Sequence, residues 1–352
     1  MQKQEKVLVF GYFGKHSKKQ EGQTVKTRNV SKLLNEMGYK VSEFDTESFR
    51  YDPLALVKMF NRLACCNKVC VLPAHGNLKW MMPIIYLASF IFRYNIYMFT
   101  IGGRLHIYLK SMPFHRFMLR RIARIFNETK QLGDNLHKLY GYENLTYCPN
   151  FKFIRFNPKP HHTSHHLKLV FLARITEEKG LDVIFAYCDY LAKHNRNDVE
   201  IDFYGMISPK DKLYFNSKVS NYKFVTYKGI AQQHEIPSLL EKYDAMVFPT
   251  HFPTEGIPGS ILDAYIAGIP VVATNWIYAS ELIDNQRTGI IIPFENSTDD
   301  FIKACDYLLE HEKELGIMKK HAHEKSKTYH ADNVKKILEE YLHYCPDKTQ
   351  DM

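Results

Sequence analysis

The chain has no Cys-x-x-Cys pair, no Gly-x-Gly-x-x-Gly fingerprint, no Asp-x-Asp motif and only two tryptophans. Its seven cysteines are Cys65, Cys66, Cys70, Cys148, Cys188, Cys305 and Cys345. An odd number, several in apolar runs, reads as reduced buried thiols of a cytoplasmic protein, not a disulfide framework. The missing glycine fingerprint argues against an NAD-dependent dehydrogenase, because Gly11-Tyr-Phe-Gly14 lacks the spacing for dinucleotide binding. The uncharged stretch from Trp80 to Phe92 is thirteen residues long, short of the roughly 20 a bilayer span needs. Val7 to Phe10 is too short for the apolar region of a signal peptide and suits an opening strand. Acidic residues are absent between Asp52 and Glu128, an interval with eleven Lys and Arg, more than the formal net charge of +9. Such a one-sided field attracts polyanions, a nucleic acid or an anionic membrane. No nucleic-acid motif is present and the aromatics form no stacking platform, so the membrane is the expected partner and nucleic acid is not.

The 352 residues, 45% of them hydrophobic, imply about two domains with substantial cores. Short apolar runs at 6–10, 40–44, 68–72 and 96–100 alternate with helical patterns at 25–38 and 53–65, the signature of a parallel sheet with crossover helices. The pattern restarts with strands at 167–172 and 199–204, one centred near Val225, and others at 245–248, 269–273 and 289–293. Helices are expected at 181–194, 235–242, 258–268 and 298–311, with a last one at about 331–344. A polar, Pro-bearing segment at 155–166 reads as a linker. Its His161, His162, His165 and His166 resemble a metal tract only in composition, and no metal site is expected.

Residues 245–274 carry most of the chemistry. A strand ends at a proline, a polar turn holds Glu255 and Gly256, and a helix opening at Pro258 stops at Gly268 before the next strand. Free N–H groups at a helix start beside a glycine and a carboxylate suit a phosphorylated, hydroxyl-bearing ligand. Upstream, Arg174 and Lys179-Gly180 follow a strand end and precede a helix. Arg grips phosphate oxygens bidentately and Lys supplies a point charge, although a surface ion-pair turn with Glu177 and Glu178 would look the same.

Glu255-Gly-Ile-Pro, Asp263-Ala and Ala267-Gly-Ile-Pro-Val-Val resemble the sugar-nucleotide signature of the group 1 (family 4) retaining glycosyltransferases, the branch that builds bacterial polysaccharides. The second acidic residue is usually Glu; here it is Asp263, one methylene shorter. The resemblance implies an α/β GT-B fold, two Rossmann-like domains with parallel sheets facing across a cleft. It places an acceptor-binding domain at 1–160, a nucleotide-sugar domain at 161–328 and a terminal helix at 329–352 returning to the first. It implies that Arg174 and Lys179 stabilise the departing diphosphate, that Glu255 orients the sugar and that Asp263 holds the ribose. Gly256, Ile257, Gly259 and Ser260 would face the diphosphate with their amides.

In the first half, Gly14 lies in a glycine-bearing loop that permits close approach to the donor. His75 and Arg104 follow strands whose C-terminal ends are where open α/β sheets bind ligands. His75 is the candidate to contact acceptor or transferred sugar, with a structural histidine as the alternative. Lys26 begins a helix, where a cation is unfavourable unless an anion lies near. From Phe114, the apolar Phe117, Met118, Ile122 and Ile125 recur at helical spacing with Arg116, Arg120, Arg121 and Arg124 opposite, the pattern of a basic amphipathic helix at a membrane or of a solvated charged face. Trp80 to Phe92 reads as a buried helix, or as one lying in the membrane interface.

Together these predict a metal-independent hexosyltransferase without a cofactor. It would move a sugar from a UDP-, GDP- or similar donor to a lipid-linked glycan, peripherally at the inner face of the cell membrane. The alternatives are a GT-B sugar-nucleotide epimerase or hydrolase, and a non-enzymatic basic protein that binds polyanions.

Overall fold

The computed structural model describes residues 5–17, 21–73, 75–159 and 165–342, with only the backbone of His75. Two compact units result. One holds the described residues through Phe153 together with Ala331–Leu342; the other is Ile154–His330.

The strands of the first unit are β1 (Lys6–Gly11), β2 (Lys40–Asp45), β3 (Lys68–Leu72), β4 (Asn95–Phe99), β5 (Arg124–Asn127) and β6 (Leu145–Tyr147). Its helices are α1 (Gly22–Glu36), α2 (Ala55–Ala64), α3 (His75–Phe92), α4 (Leu105–Tyr108), α5 (Pro113–Arg121) and α6 (Lys130–Tyr140). The sheet order is β2-β1-β3-β4-β5-β6, and every pairing is parallel. All five residues of β3 are buried, because helices cover both faces and the strand becomes a continuous apolar run.

In the second unit β7 (Leu167–Leu172), β8 (Val199–Tyr204), β9 (Val225–Gly229), β10 (Ala245–Phe248), β11 (Val271–Thr274) and β12 (Gly289–Ile292) form a parallel sheet ordered β12-β11-β10-β7-β8-β9. Its helices are α7 (Leu181–Lys193), α8 (Lys212–Ser220), α9 (Ile236–Leu240), α10 (Gly259–Ile266), α11 (Ala279–Leu282), α12 (Thr298–Glu310) and α13 (Glu312–Ser326). Phe171, Phe185 and Phe215 each pack against the Phe203 ring in its core. The last helix, α14 (Ala331–Leu342), buries Val334, Leu338 and Leu342 in the first unit's core with Val9, Leu33 and Phe126.

Two helices differ in their bounds from the sequence expectation. The arginine-bearing helix α5 ends at Arg121, and Ile122 turns extended into β5. Ile125 is apolar because a central strand buries it, which coincides with the helical spacing without continuing it. Arg124 therefore leaves the helix face, and its guanidinium lies 4.5 Å from the ring of Tyr341 on α14. Pro258 sits one position before the predicted place: it is the N-cap of α10, with extended backbone, and Gly259 is the first helical residue.

Candidate active site

β7 and β10 are neighbours at the middle of the second sheet, so the loops after them emerge side by side at its C-terminal edge. After β7 the chain is held as if on a rail. The Ala173 and Ile175 amides donate to the Tyr204 and Met206 carbonyls at 3.2 and 3.0 Å. Gly205 makes this crossing possible, since a Cβ there would sit 1.8 Å from the Ala173 oxygen. Between the anchored neighbours, Arg174 is exposed and makes no hydrogen bond or ion pair among the described residues. A fixed backbone with an unspent guanidinium is what oxyanion recognition requires.

A short turn, Glu177–Lys179, follows, and Gly180 starts α7 in the left-handed region with φ +79°. A Cβ on Gly180 would lie 1.8 Å from the Pro249 carbonyl oxygen. Only glycine lets the two loops approach so closely. Lys179 is thereby carried onto the β10 loop, where its Nζ donates to Glu255 Oε1 and lies 5.1 Å from the Phe248 ring centroid. Both partners of this ion pair are mostly buried.

Thr250 joins the two loops, and nothing in the local sequence marks it out. Its fully buried hydroxyl lies 3.3 Å from both the Glu178 carbonyl and Glu255 Oε1, and it accepts the Phe252 amide at 3.1 Å. Its own carbonyl accepts the Thr274 hydroxyl at 2.6 Å, which ties the loop to β11. His251 donates its amide to the Glu178 carbonyl, and its ring meets Asp182 at 2.7 Å. These side chains read as ordinary polar loop residues until the fold brings α7 and β10 together.

Gly256 and Ile257 are buried behind Glu255, and α10 begins at once. The Ile261 and Leu262 amides both turn back to the Pro258 carbonyl. Those of Gly259 and Ser260, at the first two helical positions, have no acceptor among the described residues. Asp263 is buried on the next turn, 4% exposed. The structure thus gathers Lys179, Glu255 and the start of α10 on one edge, with Arg174 on the adjoining loop. The edge offers cations, free amides and a carboxylate, a set that can hold a diphosphate and hydroxyl groups.

The first unit holds the other candidates. Gly14 has φ +61° in the loop after β1. Asp45 accepts the Phe13 and Lys15 amides, Glu47 accepts those of His16 and Ser17, and Arg28 caps the Phe13 carbonyl. Burial pushes the Glu47 carboxyl up, but the Ser17 and His16 hydrogen bonds outweigh it and hold it below the usual carboxylate range. Lys26 is 3% exposed; it donates to the Thr100 carbonyl at 2.8 Å and pairs with buried Glu128 at 3.4 Å. The anion that its helix-start position predicted is therefore a side chain of the same unit. Glu128 also accepts the Gly102 amide at 2.7 Å, which fixes the turn before Arg104. Arg104 is exposed at the start of α4. Arg116 lies over the Tyr140 ring and Arg121 over that of Phe117, while Arg120 is exposed at the end of α5. The backbone of His75 opens α3, and its side chain is outside the described residues. So are His161 and His162, while His166 meets Glu200 at 3.3 Å. Among the described residues no three His, Cys, Asp or Glu side chains converge as a metal site.

Comparison with known proteins gives this geometry a family. Residues 166–311, which span the whole edge just described, match the family of group 1 glycosyl transferases. The amylovoran biosynthesis glycosyltransferase AmsK of Erwinia amylovora is 28% identical over 145 residues, 40% of this chain and 35% of that one. An Escherichia coli UDP-Gal:alpha-D-GlcNAc-diphosphoundecaprenol alpha-1,3-galactosyltransferase is 32% identical over 93 residues, 26% of this chain and 23% of that one. The chain spans about a third or less of the length of the curated relatives it matches. Over the whole chain the fold is that of Anabaena HepE, solved in complex with UDP-glucose, with a TM-score of 0.74 at 14% identity, covering 96% of this chain and 99% of HepE. The chain has the GT-B fold, and its residues 166–311 match the group 1 glycosyl transferase family.

Proposed function

We propose that this chain is a retaining, metal-independent glycosyltransferase of cell-surface polysaccharide synthesis. In this reading the second unit binds a nucleotide diphosphate sugar and the first binds the acceptor. The observation that carries it is the Lys179–Glu255 pair beside the free Gly259 and Ser260 amides, with unpartnered Arg174 next to it. As the glycosidic bond breaks, negative charge grows on the leaving diphosphate. Arg174, Lys179 and the α10 amides stabilise it, which favours the transition state over the ground state. Glu255 exchanges its bond to Lys179 for sugar hydroxyls, with Thr250 keeping the carboxylate in place. Gly256 and Ile257 line the diphosphate, and Asp263 holds the ribose.

His75 and Arg104 serve the acceptor, assigned from their places after β3 and β4. A lipid-linked diphosphate sugar is the acceptor class we favour, supported by the cationic first unit and by the polyprenol acceptor in the galactosyltransferase's name. The enzyme would then work at the inner face of the cell membrane. UDP-sugars are the first donors to test, given UDP-glucose in HepE.

The test is transfer from each UDP-sugar to a polyprenyl diphosphate sugar, with the product anomer read by NMR. Arg174→Ala should lower turnover about 100-fold or more while the fold persists. A fully active variant refutes the assignment, and product formed without acceptor points to a hydrolase or epimerase.

A further inference from the structure

Helix α3 is not buried on every side, the first of the two readings its composition allows. Leu78, Met81, Met82 and Ile85 face the core, but Trp80, Leu87 and Ile91 are exposed at spacings of seven and four residues, with Phe90 beside them. Those intervals return to one side of a helix, so α3 carries an outward apolar stripe. Phe90 is 66% exposed and Ile91 74%. Helix α5 packs alongside α3, tied to it by His115 Nε2 against the Lys79 carbonyl at 3.0 Å, and adds exposed Phe114 and Phe117. Exposed apolar side chains clustered on two neighbouring helices mark an interaction surface.

The surrounding charge names the partner. Exposed Lys79 and Arg93 bracket the α3 stripe in sequence, and exposed Arg120 and Arg121 close α5. No acidic residue occurs anywhere from α2 to β5. An apolar stripe flanked in sequence by cations is complementary to an anionic lipid surface, where rings and aliphatic chains enter the acyl boundary and the cations meet phosphates. No helix among the described residues is long and apolar enough to cross a membrane, so the contact is with the surface. We infer that the outer face of α3 and α5 docks the protein on an anionic phospholipid bilayer, with Phe90 and Ile91 as the inserted residues. This deepens the lipid-linked acceptor reading above and rests on it for its purpose, though not for its measurement.

The experiment is flotation of the full chain with vesicles of equal parts phosphatidylethanolamine and phosphatidylglycerol, against phosphatidylcholine alone, comparing wild type with Phe90→Ser/Ile91→Ser. Wild type should float with the anionic vesicles and be released by salt. The double variant should bind at least about tenfold more weakly, since each lost side chain is worth about that factor. Equal flotation of the two proteins overturns the inference, as does equal binding to phosphatidylcholine. A lipid-free dimer of wild type that the variant abolishes also overturns it, because the face would then belong to a second copy. A UDP-sugar thermal shift on both proteins without lipid judges the donor-binding reading separately.

Discussion

Gly180→Ala tests the link between the fold and the site. The residue has φ +79°, and its added Cβ would sit 1.8 Å from the Pro249 carbonyl oxygen. Two costs follow: a left-handed conformation for a residue with a side chain, about 1–2 kcal/mol, and displacement of the β10 loop, about 1–3 kcal/mol by analogy with overpacked cores. Gly229 separates them. It lies in the same unit with φ +84°, and a Cβ added there would meet nothing within 4 Å, so Gly229→Ala incurs only the first cost. Urea unfolding followed by circular dichroism should show a loss of about 1–2 kcal/mol for Gly229→Ala and about 2–5 kcal/mol for Gly180→Ala. In a unit of this size each kcal/mol lowers the melting temperature by about 2–4 °C. Because Lys179 precedes Gly180, the displaced loop should also weaken donor binding by Gly180→Ala. Equal losses in the two variants would refute the close approach of the β7 and β10 loops on which the site depends.

Thr250→Val keeps the branched shape but removes the hydroxyl that contacts Glu178 and Glu255 and accepts the Phe252 amide; stability should fall by about 1–3 kcal/mol in urea, with weaker donor affinity by titration calorimetry. Lys26→Met leaves Glu128 charged and buried and should cost about 3–5 kcal/mol, with most of it recovered in Lys26→Met/Glu128→Gln; no recovery would mean that the two do not act as a pair. Glu47 has a folded pKa below its unfolded value, so its contribution is present above the unfolded carboxylate pKa of about 4.3 and is lost as pH falls through the folded value. Hydrogen exchange of the His16 and Ser17 amides should therefore accelerate below about pH 4, and Glu47→Gln should remove that dependence.

The sheet architecture was legible in local sequence because central strands such as β3 and β10 are short, mostly apolar runs that end at a proline. Helices with one apolar stripe were legible for the same reason of period, and α14 is an example. The periodicity misled at Ile122 and Ile125, where a buried strand reproduces helical spacing over too few residues to be told apart. It also concealed the exposure of α3, because a helix apolar on every side does not say which side meets the core.

By itself the sequence determined the chemistry on offer: the Glu255-Gly256 turn before a helix start, Arg174 and Lys179 before another, and a first half without acids across its middle. Those are properties of neighbouring residues, and local pattern carries them. Only the tertiary structure decided which charges are spent. Lys26 is neutralised by Glu128 from over a hundred residues away in the chain, and Lys179 pairs directly with Glu255, which Thr250 also holds, while Arg174 has no partner among the described residues. Ion pairs and close approaches between distant segments depend on how strands order in a sheet, and strand order is fixed by packing, not by any one stretch of sequence.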